Sequence, residues 1–137
     1  MDLLPKQDLS VNIDNKHKYG EVHTPYKLIN QMFDLLPVSI FADPHRQWLD
    51  PGAGRGYFSL FLIEKLMTGL SSVISDPQAR KRHILTNMLW MIEINEEHIP
   101  NLKKLFPNGN VLQCDFLSLT KTDLHSFDVI LGNPPFN

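Results

Sequence analysis

Two segments carry residue types at spacings that could do chemistry: Asn133-Pro134-Pro135-Phe136 and Asp50-Pro51-Gly52-Ala53-Gly54-Arg55-Gly56. In the first, paired prolines fix the backbone and leave carbonyls free to accept hydrogen bonds at defined positions. The Asn133 side-chain oxygen and the Pro134 carbonyl form a rigid acceptor pair, and Phe136 can stack on an extruded planar ring. Such a pair suits an aromatic amine, whose lone pair is delocalised into its ring. Accepting both hydrogens favours a more tetrahedral nitrogen, which can attack an electrophilic methyl. Taken alone, the tetrapeptide also fits a plain proline turn at a strand end.

In the second segment, glycines at alternate positions stand directly after an apolar strand candidate and before a helix. Without Cβ atoms these positions permit a tight turn and close approach of a ligand, and the helix N-terminus offers unpaired amides to a carboxylate or phosphate. A nicotinamide fingerprint would want glycine at the sixth position of G-x-G-x-x-G, but counted from Gly52 that position is Tyr57. A plain loop between strand and helix is the competing reading of the glycines.

The elements that must position these segments follow from periodicity. Thr24-Pro25 reads as an N-cap with proline at the first helical position, and Ile29, Met32, Phe33 and Leu36 recur at helical spacing up to Pro37. Residues 47–49 read as a strand, and Phe58, Phe61, Leu62, Lys65 and Leu66 trace the helix after the glycine turn. A helix from Asp76-Pro77 to about Leu85, a strand from Leu89 to Ile94, and a helix from Glu97 to Phe106 come next, with Pro100 in the last of these. Residues 111–114 and 127–131 are two more strand candidates. Alternation of this kind predicts an α/β fold, a parallel sheet with helices on both faces and right-handed crossovers.

Glu93, Asp115 and Asn133 stand at the ends of the later strands, as Asp50 does at the first, so all four are expected in one crevice beyond the carboxyl edge of the sheet. Glu93 is suited to two ribose hydroxyls, or to capping a helix. Asp115 could accept from an exocyclic amine, or start a turn.

The 137-residue length and 42% hydrophobic content fit one core, and the formal charge of -2 provides no global basic field to hold nucleic acid. Cys114 is the single cysteine, which excludes an internal disulfide and makes the cytoplasm the default compartment. The thiol lacks a preceding proline and reads as core. The longest apolar runs, such as Phe58 to Ile63, are too short for a membrane span, and six histidines show no metal-like spacing. No metal and no membrane partner are expected. Arg80-Lys81-Arg82-His83 reads first as solvated surface and second as a phosphate contact.

With Gly20-Glu21-Val22-His23-Thr24-Pro25 ahead of the glycine loop, the order Thr-Pro, Asp-Pro-x-x-Gly-x-Gly, acidic strand end, Asp115-Phe116 and Asn133-Pro134-Pro135-Phe136 resembles the gamma class of N6-adenine DNA methyltransferases. The resemblance spans residues 19–136. It implies a Rossmann-like fold that binds S-adenosylmethionine, with Thr24, Pro25, Asp50, Pro51, Gly52, Gly54 and Gly56 on its methionine portion. It further implies Glu93 on the ribose, Asp115 and Phe116 at the adenine, and Asn133, Pro134, Pro135 and Phe136 on a flipped target adenine in DNA.

The chain departs from the family in the extended stretch Gly69 to Asn87, in Gly52 and Ala53 within the loop, and in lacking the family's C-terminal half. The expected organisation is an N-terminal arm over residues 1–18 and a partial catalytic domain over 19–137, truncated after the fourth strand and without a target-recognition domain. A fragment, a split gene or a truncated chain would explain that, with a missing C-terminal portion, a partner subunit or self-association covering the last strand. Two other functions compete: methylation of a glutamine side chain or of RNA, and a non-catalytic cofactor-binding module.

Overall fold

The computed structural model describes residues 26–132. Thr24, Pro25 and the tetrapeptide Asn133-Pro134-Pro135-Phe136 therefore lie outside the described residues, as does the arm over 1–18. The first described element is helix α1, Tyr26–Asp34, which buries Ile29 and Phe33 one turn apart. It ends before the expected Pro37 because a residue preceding proline is disfavoured in the helical region. Pro37 itself is extended and opens a 3-10 turn, Val38–Ala42.

Strand β1, Trp48–Asp50, is buried throughout and leads through the glycine loop into helix α2, Tyr57–Gly69. Eight residues of α2 are buried, spread around its circumference, which marks a helix enclosed by the core rather than lying on it. Helix α3, Pro77–His83, starts as expected at Asp76, whose carboxylate accepts from the Ala79 amide, with proline in the first turn. It runs into a π-helical turn, Ile84–Met88, and then strand β2, Leu89–Glu93.

A 3-10 turn, Glu96–His98, precedes helix α4, Ile99–Leu105, and Pro100 falls in its first turn, where an amide would have no intrahelical partner. Strand β3, Asn110–Gln113, a 3-10 turn, Phe116–Ser118, helix α5, Lys121–His125, and strand β4, Val129–Ile130, complete the order. Helix α5 was not anticipated by periodicity, since it is five mostly polar residues. Its signal is a capping box, Thr120 with Asp123, in which each side chain serves the other's amide.

The four strands are parallel, in the order β3-β2-β1-β4. Trp48 pairs with Leu89 and Val129, and Asp50 with Met91. In-register neighbours of a parallel sheet share a face, so Trp48, Leu89, Met91 and Val129 look one way. They join Phe33, Phe58, Leu62, Leu66, Leu102 and Phe106 in the main core, the side of α1, α2 and α4. Leu49, Trp90 and Ile92 look the other way, where Phe127 meets Trp90 edge-on at 5.7 Å. The chain winds outward from β1 to β2 to β3 and then returns past both to β4. With right-handed crossovers the return runs over the face opposite α2 and α4. This is the expected α/β, Rossmann-like arrangement with helices on both faces.

The stretch from Gly69 to Asn87, for which no role was evident, is α3 and the two turns that flank it. The Arg80 guanidinium donates to the carbonyls of Met67 and Ile74 at 2.8 Å and Ser75 at 3.0 Å, locking the end of α2 to α3. Asn110 clamps the π turn in a similar way, its amide donating to the carbonyls of Leu85, Thr86 and Leu89.

Candidate functional site

The reversal of winding direction puts the topological switch point between β1 and β4, and the glycine loop leaves β1 at that point. The loop is held by four hydrogen bonds from its own backbone. Gly52 N–H donates to Asp50 Oδ1 at 3.3 Å and Gly54 N–H to Glu93 Oε1 at 2.6 Å. Ala53 N–H donates to the Ile92 carbonyl at 2.9 Å, and Gly56 N–H to the Ala53 carbonyl at 2.8 Å. The second Glu93 oxygen accepts from the Asn95 amide at 2.8 Å. Glu93, at the end of β2, thus ties the cofactor-type loop to the adjacent strand end. Its two oxygens keep further lone pairs, so a hydroxyl contact is compatible with these bonds.

The loop glycines do different jobs. Gly54 and Gly56 have φ of 56° and 89°, a region that costs other residues, whereas Gly52 does not need it. A Cβ on Gly56 would meet Phe106 at 3.0 Å, Leu102 at 3.1 Å and Leu105 at 3.3 Å, so this glycine lets α2 start against α4. Among the described residues, a Cβ on Gly54 would meet nothing within 4 Å, which means open space on that side of the loop. Gly56 is also the N-cap of α2, and as a glycine it brings no side chain to cap that helix end.

Asp50 is wholly buried and its Oδ2 accepts from the Ser59 hydroxyl at 2.7 Å. Burial pushes its carboxyl from the ordinary 3.8 up to about 6, opposed by the hydrogen bonds from Ser59 and Gly52 and reinforced by repulsion from Glu93. At neutral pH the carboxylate is ionised but costly. Two buried acids beside open space at Gly54 favour a ligand with a cationic group there. Such a negatively biased cradle suits a ligand that carries a positive charge.

Gly132, at the end of β4, closes the arrangement. A Cβ there would lie 2.7 Å from Asp50 Oδ1 and 2.9 Å from Pro51 Cδ, so only glycine allows the β4 end to rest on the β1 loop. Asn133 is the next residue in sequence. Neither Gly132 nor Ser59 was singled out from the sequence. The nearest signal for Gly132 was its place before the proline tetrapeptide, while nothing local pointed to Ser59, nine residues from its partner.

Of the residues expected at the site, the structure brings together Asp50, Pro51, Gly52, Gly54, Gly56 and Glu93. Asp115 follows β3, two strands from β1, and its side chain accepts from the Leu117 amide at 2.9 Å, starting the turn that contains Phe116. The backbone joins it to the site through the Cys114 amide, which donates to the Glu93 carbonyl at 3.2 Å. Cys114 is half-buried rather than core. Partial burial, with Asp115 and Asp123 adding to it, pushes its thiol up, away from the reactive thiolate.

In the basic run, Arg80 is spent on carbonyls, and His83 meets the Pro44 carbonyl at 2.7 Å and the Asn87 amide at 3.2 Å. A separate groove of about 1040 Å³ lies between α1, the 38–42 turn and α2, lined by Phe33, Phe41, Phe61 and Met67 among others. It is away from the strand ends. Among the described residues no cluster of three or more His, Cys, Asp or Glu could hold a metal, and no helix is long and apolar enough to cross a membrane.

No family model matches the chain. A protein of Mycoplasma pneumoniae described as an uncharacterized adenine-specific methylase is 36% identical over 94 residues, which cover 66% of this chain and 22% of that protein. The chain therefore aligns with little more than a fifth of the relative's length. The likeness to a methylase and the parallel sheet wound about β1 agree on a Rossmann-like methyltransferase fold.

Proposed function

We propose that the chain belongs to an S-adenosylmethionine-dependent amino-methyltransferase that acts on the N6 amine of adenine in DNA. The observation that carries this reading is the glycine loop at the switch point, bonded through Gly54 to Glu93 and touched at Asp50 by Gly132, which Asn133-Pro134-Pro135-Phe136 directly follows. The relative's description as an adenine-specific methylase supports the choice of adenine.

When bound, S-adenosylmethionine supplies a methyl group on a positively charged sulfur. The open side of Gly54 and the amides at the start of α2 receive its methionine end, Glu93 its ribose, and Asp115 with Phe116 its adenine. Asn133 and the Pro134 carbonyl accept the two hydrogens of the target amine, and Phe136 stacks on the flipped base. Held in this way, the amine would direct its lone pair at the methyl group that S-adenosylmethionine would supply.

The test is incubation of the full-length protein with tritiated S-adenosylmethionine and DNA, RNA or protein. Label is expected in DNA, at adenine. Label in protein alone, or in RNA alone, overturns the substrate, and absence of cofactor binding by calorimetry overturns the reading as a whole. Asn133→Ala is expected to keep cofactor affinity within about twofold while transfer falls by about 10²-fold or more, the usual scale for losing a transition-state hydrogen-bond partner.

A further inference from the structure

Asp50 has no surface, so it reaches a ligand only through what it holds. Its two oxygens hold the Gly52 amide, which starts the glycine loop, and the hydroxyl of Ser59, which lies inside the first turn of α2 and is itself wholly buried. Around it, β2 presents the apolar Met91 in register and the acidic Glu93, and the end of β4 presents Gly132, without a side chain. Glu93 is the charged group that acts on Asp50, and it is repulsive. No cation stands among the groups that move its titration most. Among the described residues, the hydroxyl on α2 is the side-chain donor that opposes protonation of this acid.

We propose that Ser59 is a positioning residue for the cofactor loop: by donating to Asp50 it keeps that buried carboxylate ionised and turned to hold the Gly52 amide, so that the loop keeps its binding shape at neutral pH. The inference rests on the cofactor reading above and adds a residue and a proton dependence to it. A protonated Asp50 loses part of its power to accept from Gly52 and relaxes the loop.

Burial places the Asp50 titration near pH 6 with Ser59 present. Loss of a hydrogen bond to a charged group moves it upward by about one to two pH units. Cofactor affinity of the wild type is then expected to fall as pH drops through 6, and that of Ser59→Ala as pH drops through about 7 to 8. At pH 7 the variant is weaker by roughly two- to tenfold, and the ratio of the two dissociation constants returns towards one above pH 9. The ratio cancels any titration of the ligand itself.

Two measurements on the full-length protein decide the matter: carboxyl-carbon NMR titration of Asp50 without ligand, and calorimetry with S-adenosylmethionine from pH 5.5 to 9. The expected result is an upward-shifted Asp50 midpoint in Ser59→Ala together with the pH-dependent ratio, and a near wild-type midpoint in Ser59→Thr, which keeps the hydroxyl. An unmoved midpoint, or a ratio that is the same at every pH, overturns the role of Ser59. A wild type that binds no S-adenosylmethionine at any pH, with the Asp50 midpoint still moved by the substitution, overturns the cofactor reading instead.

Discussion

Replacing Asp50 by Asn should make the protein more stable and less able to bind its cofactor. The carboxyl titrates near 3.8 when unfolded and near 6 when buried, so the folded state binds its proton more tightly. A raised carboxyl value means that this group's contribution to stability is fully present below pH 3.8 and is lost as pH rises through 6. The difference of 6 minus 3.8, converted at 1.36 kcal/mol per unit, is about 3 kcal/mol at neutral pH.

Asn has the same shape and cannot ionise. Its oxygen can accept from Gly52 and its amide can donate to Ser59, so the variant should recover most of that difference. The expected gain is about 3 kcal/mol at pH 7.5, near 10 °C in melting temperature, falling to about 1 kcal/mol at pH 4.5. Urea unfolding followed by circular dichroism at the two pH values measures it. A gain that is equal at both pH values, or no gain at pH 7.5, would refute the attribution of the shift to buried charge. Affinity for S-adenosylmethionine should drop at least tenfold in the same variant, the cost expected where a site keeps a strained group for function.

The two strained glycines should separate stability from binding. Gly56→Ala combines a left-handed backbone with contacts to Phe106, Leu102 and Leu105 and should cost about 2–4 kcal/mol in urea unfolding. Gly54→Ala meets open space among the described residues, so it should cost only about 1–2 kcal/mol, yet it should weaken cofactor binding in calorimetry by placing a methyl where the proposed cofactor would lie. Asn110→Ala strips a donor from the carbonyls of Leu85, Thr86 and Leu89 and should cost about 1–3 kcal/mol of unfolding free energy, with cofactor affinity unchanged.

Most elements were legible because their signals are local. Asp76 followed by Pro77 announces α3, the glycine spacing announces the turn into α2, and the apolar runs before Glu93 and Asp115 announce strands. Helix α5 was not read because five residues with Leu124 as their one apolar side chain carry no apolar stripe, and only the Thr120 and Asp123 pair marks it. Strand β4 is shorter than the apolar run 127–131, since pairing with β1 is confined to Trp48 with Val129 and Leu49 with Ile130. The run of Arg80 to His83 lies on a helix without a buried residue, as its reading as surface implies, but only the tertiary fold brings the carbonyls of Met67, Ile74 and Ser75 to Arg80.

By itself the sequence determined the α/β alternation and the glycine loop, and it marked Asp50 and Glu93 as polar strand ends, because each is written within a few neighbouring residues. The tertiary structure alone decided that the winding reverses at β1 and that Glu93 spends its oxygens on Gly54 and Asn95. It alone decided that Ser59 and Gly132 converge on a carboxylate removed from water. Those relations join residues up to 82 positions apart, and a buried charge is shifted by whatever surrounds it in space, which no local pattern of residues records.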